Sequence, residues 1–330
     1  MRRLPTTSAL AVTLMIVPAS RAGVGWPPER FENLQVLPGD VPPRRLIDLM
    51  KGFTRALGVR CSHCHVGEDD EPLATYDFPS DDKPAKRKAR TMLGMVEAIN
   101  RDFLSALEGR ADPPLAVDCA TCHRGISEPR TLQDVLRNSY RKGDVESTLA
   151  TYHDLRARYH GTASYDFGEV PLAEVAAEVR DSGRLEDALR LYALNVEMNP
   201  GSTFAEREHA SAAITLAFRK EGAEAGRAAY RELRERYGPE AFPESLLDQL
   251  GHRLLGSDRL DLAIAVFELN THGFPGSGRA YESLGDGYAK RRDRRRAIES
   301  YTRALELDPG SESVKGKLID LRNHEAVEER

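Results

Sequence analysis

The sequence predicts an all-α protein in two parts: a module of helix–turn–C-x-x-C-H units, followed by an α-solenoid of helical repeats. Three observations carry this. All four cysteines fall in two copies of one pentapeptide, Cys61–His65 ("CSHCH") and Cys119–His123 ("CATCH"). An amphipathic segment bounded by proline and glycine precedes each copy. Beyond residue 130 cysteine vanishes and a residue pattern recurs at a spacing of 34. With 330 residues, the chain is long enough for two domains. Its net charge of −5 carries no basic excess of the kind that nucleic-acid binding requires.

In chain order, "MRRLPTTSALAVTLMIVPASRAG" comes first. Arg2 and Arg3 precede the largely apolar run Ala9–Val17, and the small residues Ser20 and Ala22 follow. This is the pattern of a cleaved export signal ending at residue 22, which implies a bacterial periplasmic or extracellular location for the mature chain. Nine residues are too few for a span needing about 20. No cysteine follows the run to carry a lipid. The expected domains are therefore 1–22 (signal peptide), 23–130 (cytochrome-like module) and 131–330 (repeats).

The first helix is "VPPRRLIDLMKGFTRALG". Pro42 and Pro43 suit its start, Leu46, Leu49, Met50 and Phe53 recur at helical spacing, and Gly58 suits its stop. The second is "KPAKRKARTMLGMVEAINRDFLSALEG", expected to run from Pro84 to Gly109, with Met92 and Met95 roughly on one face. Near its start stand Lys83, Lys86, Arg87, Lys88 and Arg90. They read either as a solvated helix start or as a docking patch for an acidic redox partner.

Two C-x-x-C pairs in an exported chain are compatible with disulfides or zinc. Neither explains why a histidine follows the second cysteine both times. Covalent attachment of a c-type haem does: the two thiols add to the vinyl groups, and the adjacent histidine reaches the iron. Cys61, Cys64, Cys119 and Cys122 are then the attachment residues for two haems. Because CATCH has no histidine between its cysteines, the shared ligands are His65 and His123, and His63 is a bystander. A second axial ligand is sought on the helix upstream. Arginine stands five residues before methionine in both helices (Arg45 to Met50, Arg87 to Met92). That register favours Met50 and Met92, with Met95 as the alternative to Met92 and a packing role as the alternative for each.

The segments "MKGFTRALGVRCSHCH" and "ARTMLGMVEAIN … CATCHRG" resemble the units of the cytochrome c subunit of photosynthetic reaction centres and its two-haem relatives, over residues 28 to 130. The resemblance implies that each unit is a methionine-bearing helix, a turn and a short helix carrying C-x-x-C-H. It also implies that Met50 pairs with His65 and Met92 with His123, and that the function is electron transfer. The photosynthetic subunit typically carries four haems, whereas this chain has two motifs. A role as donor to a photo-oxidised chlorophyll pair is therefore not implied.

In the C-terminal part, Tyr281, Leu284, Gly285, Tyr288, Ala297, Tyr301, Ala304 and Pro309 match the tetratricopeptide pattern. Subtracting 34 gives Leu247, Leu250, Gly251, Leu254, Ala263, Phe267, Asn270 and Pro275, with Asn270 in place of a small residue. A less regular copy runs through Leu172, Ala188, Tyr192 and Pro200, with weaker echoes at 150–161 and 228–239. Small residues let paired helices approach, aromatics fill the gap, and neighbours must stack to bury the remaining apolar faces.

The expected function is electron transfer through two low-spin, His/Met-ligated haems with no bond chemistry. The repeats would dock a redox partner protein, including a membrane-bound one. An enzyme of the dihaem peroxidase kind with one open iron is the alternative, and a haem-bearing sensor or assembly factor is a third class.

Overall fold

In the computed structural model, residues 28, 30–109 and 112–328 are described, the side chains of 323–328 excepted. The expected signal peptide lies outside them. The regular structure among the described residues is helical, apart from an isolated antiparallel bridge between Val66 and Asp77. The chain divides into two units, Met1–Pro129 and Arg130–Arg330.

In the first unit, helix α1 spans Pro43–Leu57 and begins with proline at its first position, where the missing N–H costs nothing. It ends at Gly58, whose φ of +66° closes the helix while the Val59 N–H donates to the Thr54 carbonyl at 3.0 Å. Position 58 demands glycine for a second reason: a Cβ there would overlap the Gly125 carbonyl oxygen. Helix α2, Pro84–Ala98, is shorter than the expected helix to Gly109. At Ile99 the chain widens into a π turn, Ile99–Phe103, and then tightens into a 3-10 turn, Leu104–Ala106. The side chain of Asn100 within that π turn is committed to residue Val117, with consequences for the site below. Helix α3 is the short Cys119–His123, and α1 packs against it.

The apolar balance of this unit is unusual. Its buried apolar residues are Leu46, Ala56, Tyr76 and Ile126. Among the described residues, the exposed large apolar side chains are Val36, Leu73, Met92, Met95, Phe103, Leu107 and Leu115 here, against Val170 and Ile319 in the other unit. Four side chains supply far too little apolar burial to hold about a hundred residues together.

The second unit is a stack of antiparallel helix pairs: α4 (Leu132–Lys142) with α5 (Val145–Tyr159), α6 (Glu169–Asp181) with α7 (Leu185–Met198), α8 (Thr203–Glu221) with α9 (Ala223–Tyr237), α10 (Glu244–Gly256) with α11 (Leu260–Gly273), and α12 (Gly278–Lys290) with α13 (Arg294–Leu307). Helix α14, Glu312–Glu328, packs on α13. Gly285 of α12 lies against the Tyr301 ring of α13, and Gly251 of α10 against Phe267 of α11; a Cβ at either glycine would enter the ring. Tyr301, Phe267 and Tyr192 are almost wholly buried, as the repeat pattern requires. The pair α8–α9 inverts the arrangement, with Gly226 on the second helix and Phe218 on the first. Prolines 200, 275 and 309 each stand two residues beyond the end of a second helix. Two polar links also recur: Ser202 and Ser277 cap α8 and α12, and each donates its hydroxyl to the glutamate that opens the preceding repeat, Glu169 and Glu244.

Candidate haem-attachment site

The first C-x-x-C-H segment is held mainly by its surroundings, the second also by a short helix of its own. The first forms a single 3-10 turn, Cys61–His63. The Ser62 hydroxyl donates to Asp69, and the Val66–Asp77 bridge returns the chain past the motif, the Asp77 N–H donating to the Val66 carbonyl at 2.9 Å. Tyr76 fills the loop interior, stacks on Phe78 at 5.6 Å and donates its hydroxyl to the Glu68 carbonyl at 2.5 Å. Gly67, at φ +155°, leaves room for the Tyr76 ring.

Phe78 fixes His65 in two ways. The rings meet edge to face with centroids 4.8 Å apart, and the His65 Nδ1 lies 3.3 Å from the Phe78 carbonyl oxygen. A carbonyl can only accept, so Nδ1 carries the proton and the neutral ring keeps its lone pair on Nε2. His123 is arranged alike: its Nδ1 lies 2.9 Å from the Ile126 carbonyl oxygen. Arg124 (φ +49°) and Gly125 (φ +87°) turn the chain back to bring that carbonyl round. Both histidines therefore leave Nε2 free for a ligand, with the other ring nitrogen anchored in the manner that orients metal ligands.

The second motif has further supports. Asp118 caps α3, its carboxylate accepting from the Thr121 N–H at 2.9 Å while the Asp118 N–H donates to the Thr121 hydroxyl at 3.0 Å. Thr121, between the cysteines, is thus the N3 partner in the Asp118 capping box. Asn100 reaches across from the π turn and bonds both backbone groups of Val117, each at 2.8 Å. The Gly125 N–H donates to the Ala56 carbonyl at 2.8 Å, tying the motif to the end of α1.

Lys86 and Arg90 of α2 are turned inward, at 13% and 14% side-chain exposure. The Lys86 ammonium donates to the carbonyls of Phe78, Pro79 and Ser80 at 2.8, 3.0 and 2.7 Å and pairs with Asp81 at 3.1 Å. Arg90 reaches Asp81 at 2.9 Å, and Arg87 donates to the Asp81 carbonyl. Arg90 and Asn33, with Lys86 assisting, hold the Asp81 carboxyl well below the usual range. Two of the five cations, Lys86 and Arg90, are thus claimed by half-buried carbonyls and the Asp81 carboxylate, whereas Arg87 and Lys88 are exposed. Burial, reinforced by the Lys86 charge, lowers the His65 pKa and so favours the neutral ring.

None of the four cysteines is in a disulfide; Cys61, Cys64 and Cys119 are half-buried and Cys122 is exposed. Burial raises Cys64 and Cys119, whose thiols stay protonated. Among the described residues no three His, Cys, Asp or Glu side chains gather into a set that could hold a metal ion, so neither pair is completed by further side-chain ligands. The residues present do fit a covalently attached haem. Each motif offers two unpaired thiols and an oriented imidazole, in a unit whose exposed apolar side chains have no protein core to cover them.

Met50 is half-buried on the face of α1 that carries Leu46 and Phe53, whereas Met92 and Met95 are 44% and 46% exposed on α2. Helix α1 lies against the helix of His123, and the first turns of α2 hold the segment that anchors His65. His63 is exposed and lines a shallow cleft of about 500 Å³ with Arg60, Gly67, Asp69 and Lys83. Phe78, Lys86, Asn100 and Asp118 are functional supports that motif reading misses. Of these, only the Asp118–Thr121 cap has a local sequence signature.

Residues 12–141 match the family model of the photosynthetic reaction centre cytochrome c subunit, and residues 278–311 match the tetratricopeptide repeat. Cytochrome c-554 of Chloroflexus aurantiacus is 28% identical over 180 residues, 54% of this chain and 38% of that protein. The photosynthetic reaction center cytochrome c subunit of Roseobacter denitrificans is 35% identical over 101 residues, 30% of this chain and 25% of that protein. The chain thus spans well under half the length of these curated relatives. Among solved structures, a MamA fragment from Desulfovibrio magneticus RS-1 aligns with 49% of this chain and 87% of its own at 18% identity and a TM-score of 0.31. No helix among the described residues is long and apolar enough to cross a membrane.

Proposed function

From the kinship of its N-terminal region with the reaction centre cytochrome c subunits, and of its C-terminal region with tetratricopeptide repeats, we propose that the chain is a periplasmic electron carrier. It holds two covalently attached haems in residues 23–130 and docks a redox partner protein through repeats in residues 131–330. Residues 1–22 direct export. The carrying observation is the paired histidine geometry: His65 and His123 each spend Nδ1–H on a backbone carbonyl and keep Nε2 free to ligate. When bound, a c-type haem supplies a one-electron iron couple. The chain's own part is to attach it through Cys61 and Cys64, or Cys119 and Cys122, to fix the imidazole plane, and to cover the apolar ring with the side chains that are otherwise exposed.

The axial methionines proposed are Met50 for His65 and Met92 for His123, with Met95 as the alternative to Met92. The packing of α1 on α3 favours a second reading, in which Met50 serves His123. No side chain is assigned a bond-making role, and nucleic acid is not a partner. Pyridine-haemochrome analysis should count two haems per chain, and the reduced spectrum should be six-coordinate and low-spin. A high-spin centre that binds carbon monoxide or peroxide rapidly would replace this proposal with the peroxidase-like one. Met50→Ala should turn one haem high-spin. Repeating it in a Cys119→Ser, Cys122→Ser chain tells the two pairings apart, because the remaining haem changes spin only if Met50 partners His65. If neither Met50→Ala nor Met92→Ala changes the spectrum, the ligand assignment is wrong.

A further inference from the structure

The two histidine anchors are not equivalent. The Ile126 carbonyl accepts the His123 N–H at 2.9 Å. The Phe78 carbonyl is shared: it accepts the Lys86 ammonium at 2.8 Å and lies 3.3 Å from the His65 Nδ1. An oxygen already engaged by a charged donor is a poorer acceptor for a second one, and 3.3 Å is long for N–H···O. Histidine that donates weakly through Nδ1 gains less basicity at Nε2, and a less basic ligand favours the reduced iron. Charge acts in the same direction. Lys86 and Arg90 are fixed at low exposure beside this segment, and the Asp81 carboxylate between them offsets one of the two positive charges. Near His123 the corresponding cation, Arg124, is exposed and donates to the Thr121 carbonyl at 3.4 Å, where solvent screens it.

We propose that Lys86 is a positioning residue for His65, and that by sharing the Phe78 carbonyl it makes the CSHCH centre the higher-potential of the two, where an incoming electron comes to rest. This rests on the reading of His65 as an iron ligand.

The test is a potentiometric titration of the full chain with both haems attached, followed in the visible absorption bands. The centres are assigned by comparison with the Cys119→Ser, Cys122→Ser variant, which keeps the first alone. In the unsubstituted protein the first-motif centre should be reduced at the higher potential. Lys86→Gln should lower that couple alone by about tenfold in the reduced-to-oxidised ratio, ~59 mV for one electron, and Lys86→Arg should restore most of it. A first couple unmoved by Lys86→Gln, or both couples moved equally, overturns the proposal. Should Lys86→Gln fail to mature, the unsubstituted protein decides, since a first-motif centre at the lower potential overturns the proposal equally. A haemochrome count showing no haem at Cys61 and Cys64 would remove the haem reading itself. Two haems with the wrong order of potentials would remove only the role of Lys86.

Discussion

Asn270 sits at a position of α11 that the repeat pattern reserves for a small residue. It is wholly buried, and neither its amide nitrogen nor its oxygen has a hydrogen-bond partner. Asn195, the counterpart in α7, is equally buried but donates to the Glu169 carbonyl at 2.9 Å, and the counterpart in α13 is Ala304. An unpaired buried amide costs about 1–3 kcal/mol. Asn270→Ala should therefore stabilise the repeat unit by about 1 kcal/mol, read as a higher urea midpoint at unchanged slope. An unchanged or lower midpoint would mean that Asn270 makes a compensating bond, with water for example. At this scale the candidate ligands are plain in the sequence, because comparing CSHCH with CATCH singles out His65 and His123. Their anchors are not. Phe78 lies 13 residues from His65, and Asn100 lies 17 from Val117. The chain between them follows no periodic pattern, so nothing in the letters foretells which carbonyl or amide arrives at the site.

Helix ends are the best-written part of the sequence, and Gly58 shows why. It closes α1 in the left-handed region and admits the Gly125 carbonyl beside it. Gly58→Ala should cost about 2 kcal/mol or more, combining backbone strain with steric overlap. Because the Ala56–Gly125 bond is adjacent, hydrogen exchange at the Gly125 amide should accelerate at least tenfold (~1.4 kcal/mol). Equal exchange in both proteins would show that α1 does not steady the second motif. The end of α2 is the opposite case. Its composition continues to favour helix through Gly109, yet the ladder changes to π geometry at Ile99, where Asn100 is drawn to Val117. A tertiary bond there overrides local propensity. The inward turn of Lys86 and Arg90 is similar: five cations near a helix start read as solvent-facing until Asp81 and three carbonyls claim two of them.

As a whole molecule, the chain joins a unit poor in buried apolar side chains to one rich in them. The repeat unit holds two large clusters, one around Phe218, Leu250, Phe267 and Tyr301, the other around Leu136, Tyr152, Leu172 and Tyr192. A chain with all four cysteines replaced by serine should lose residues 30–129 to limited proteolysis while a resistant fragment beginning near residue 130 persists. Equal resistance of both regions would show that the first unit holds itself together without an attached group. The repeat architecture is legible because its packing rule acts on fixed spacings, whereas the first unit buries too few apolar side chains for such a rule to act on.

From α6 onward the helices that open each step begin at residues 169, 203, 244, 278 and 312, so the 34-residue step lengthens there once, to 41, across α8–α9. Seven residues are added there. Most of that length goes into α8, which has 19 residues where α6, α10 and α12 have 13, an excess of about 9 Å along its axis. A strictly periodic array looks the same to a ligand displaced by one repeat. This one does not: the longer α8, together with the swapped places of Gly226 and Phe218, marks an origin from which every other repeat can be counted.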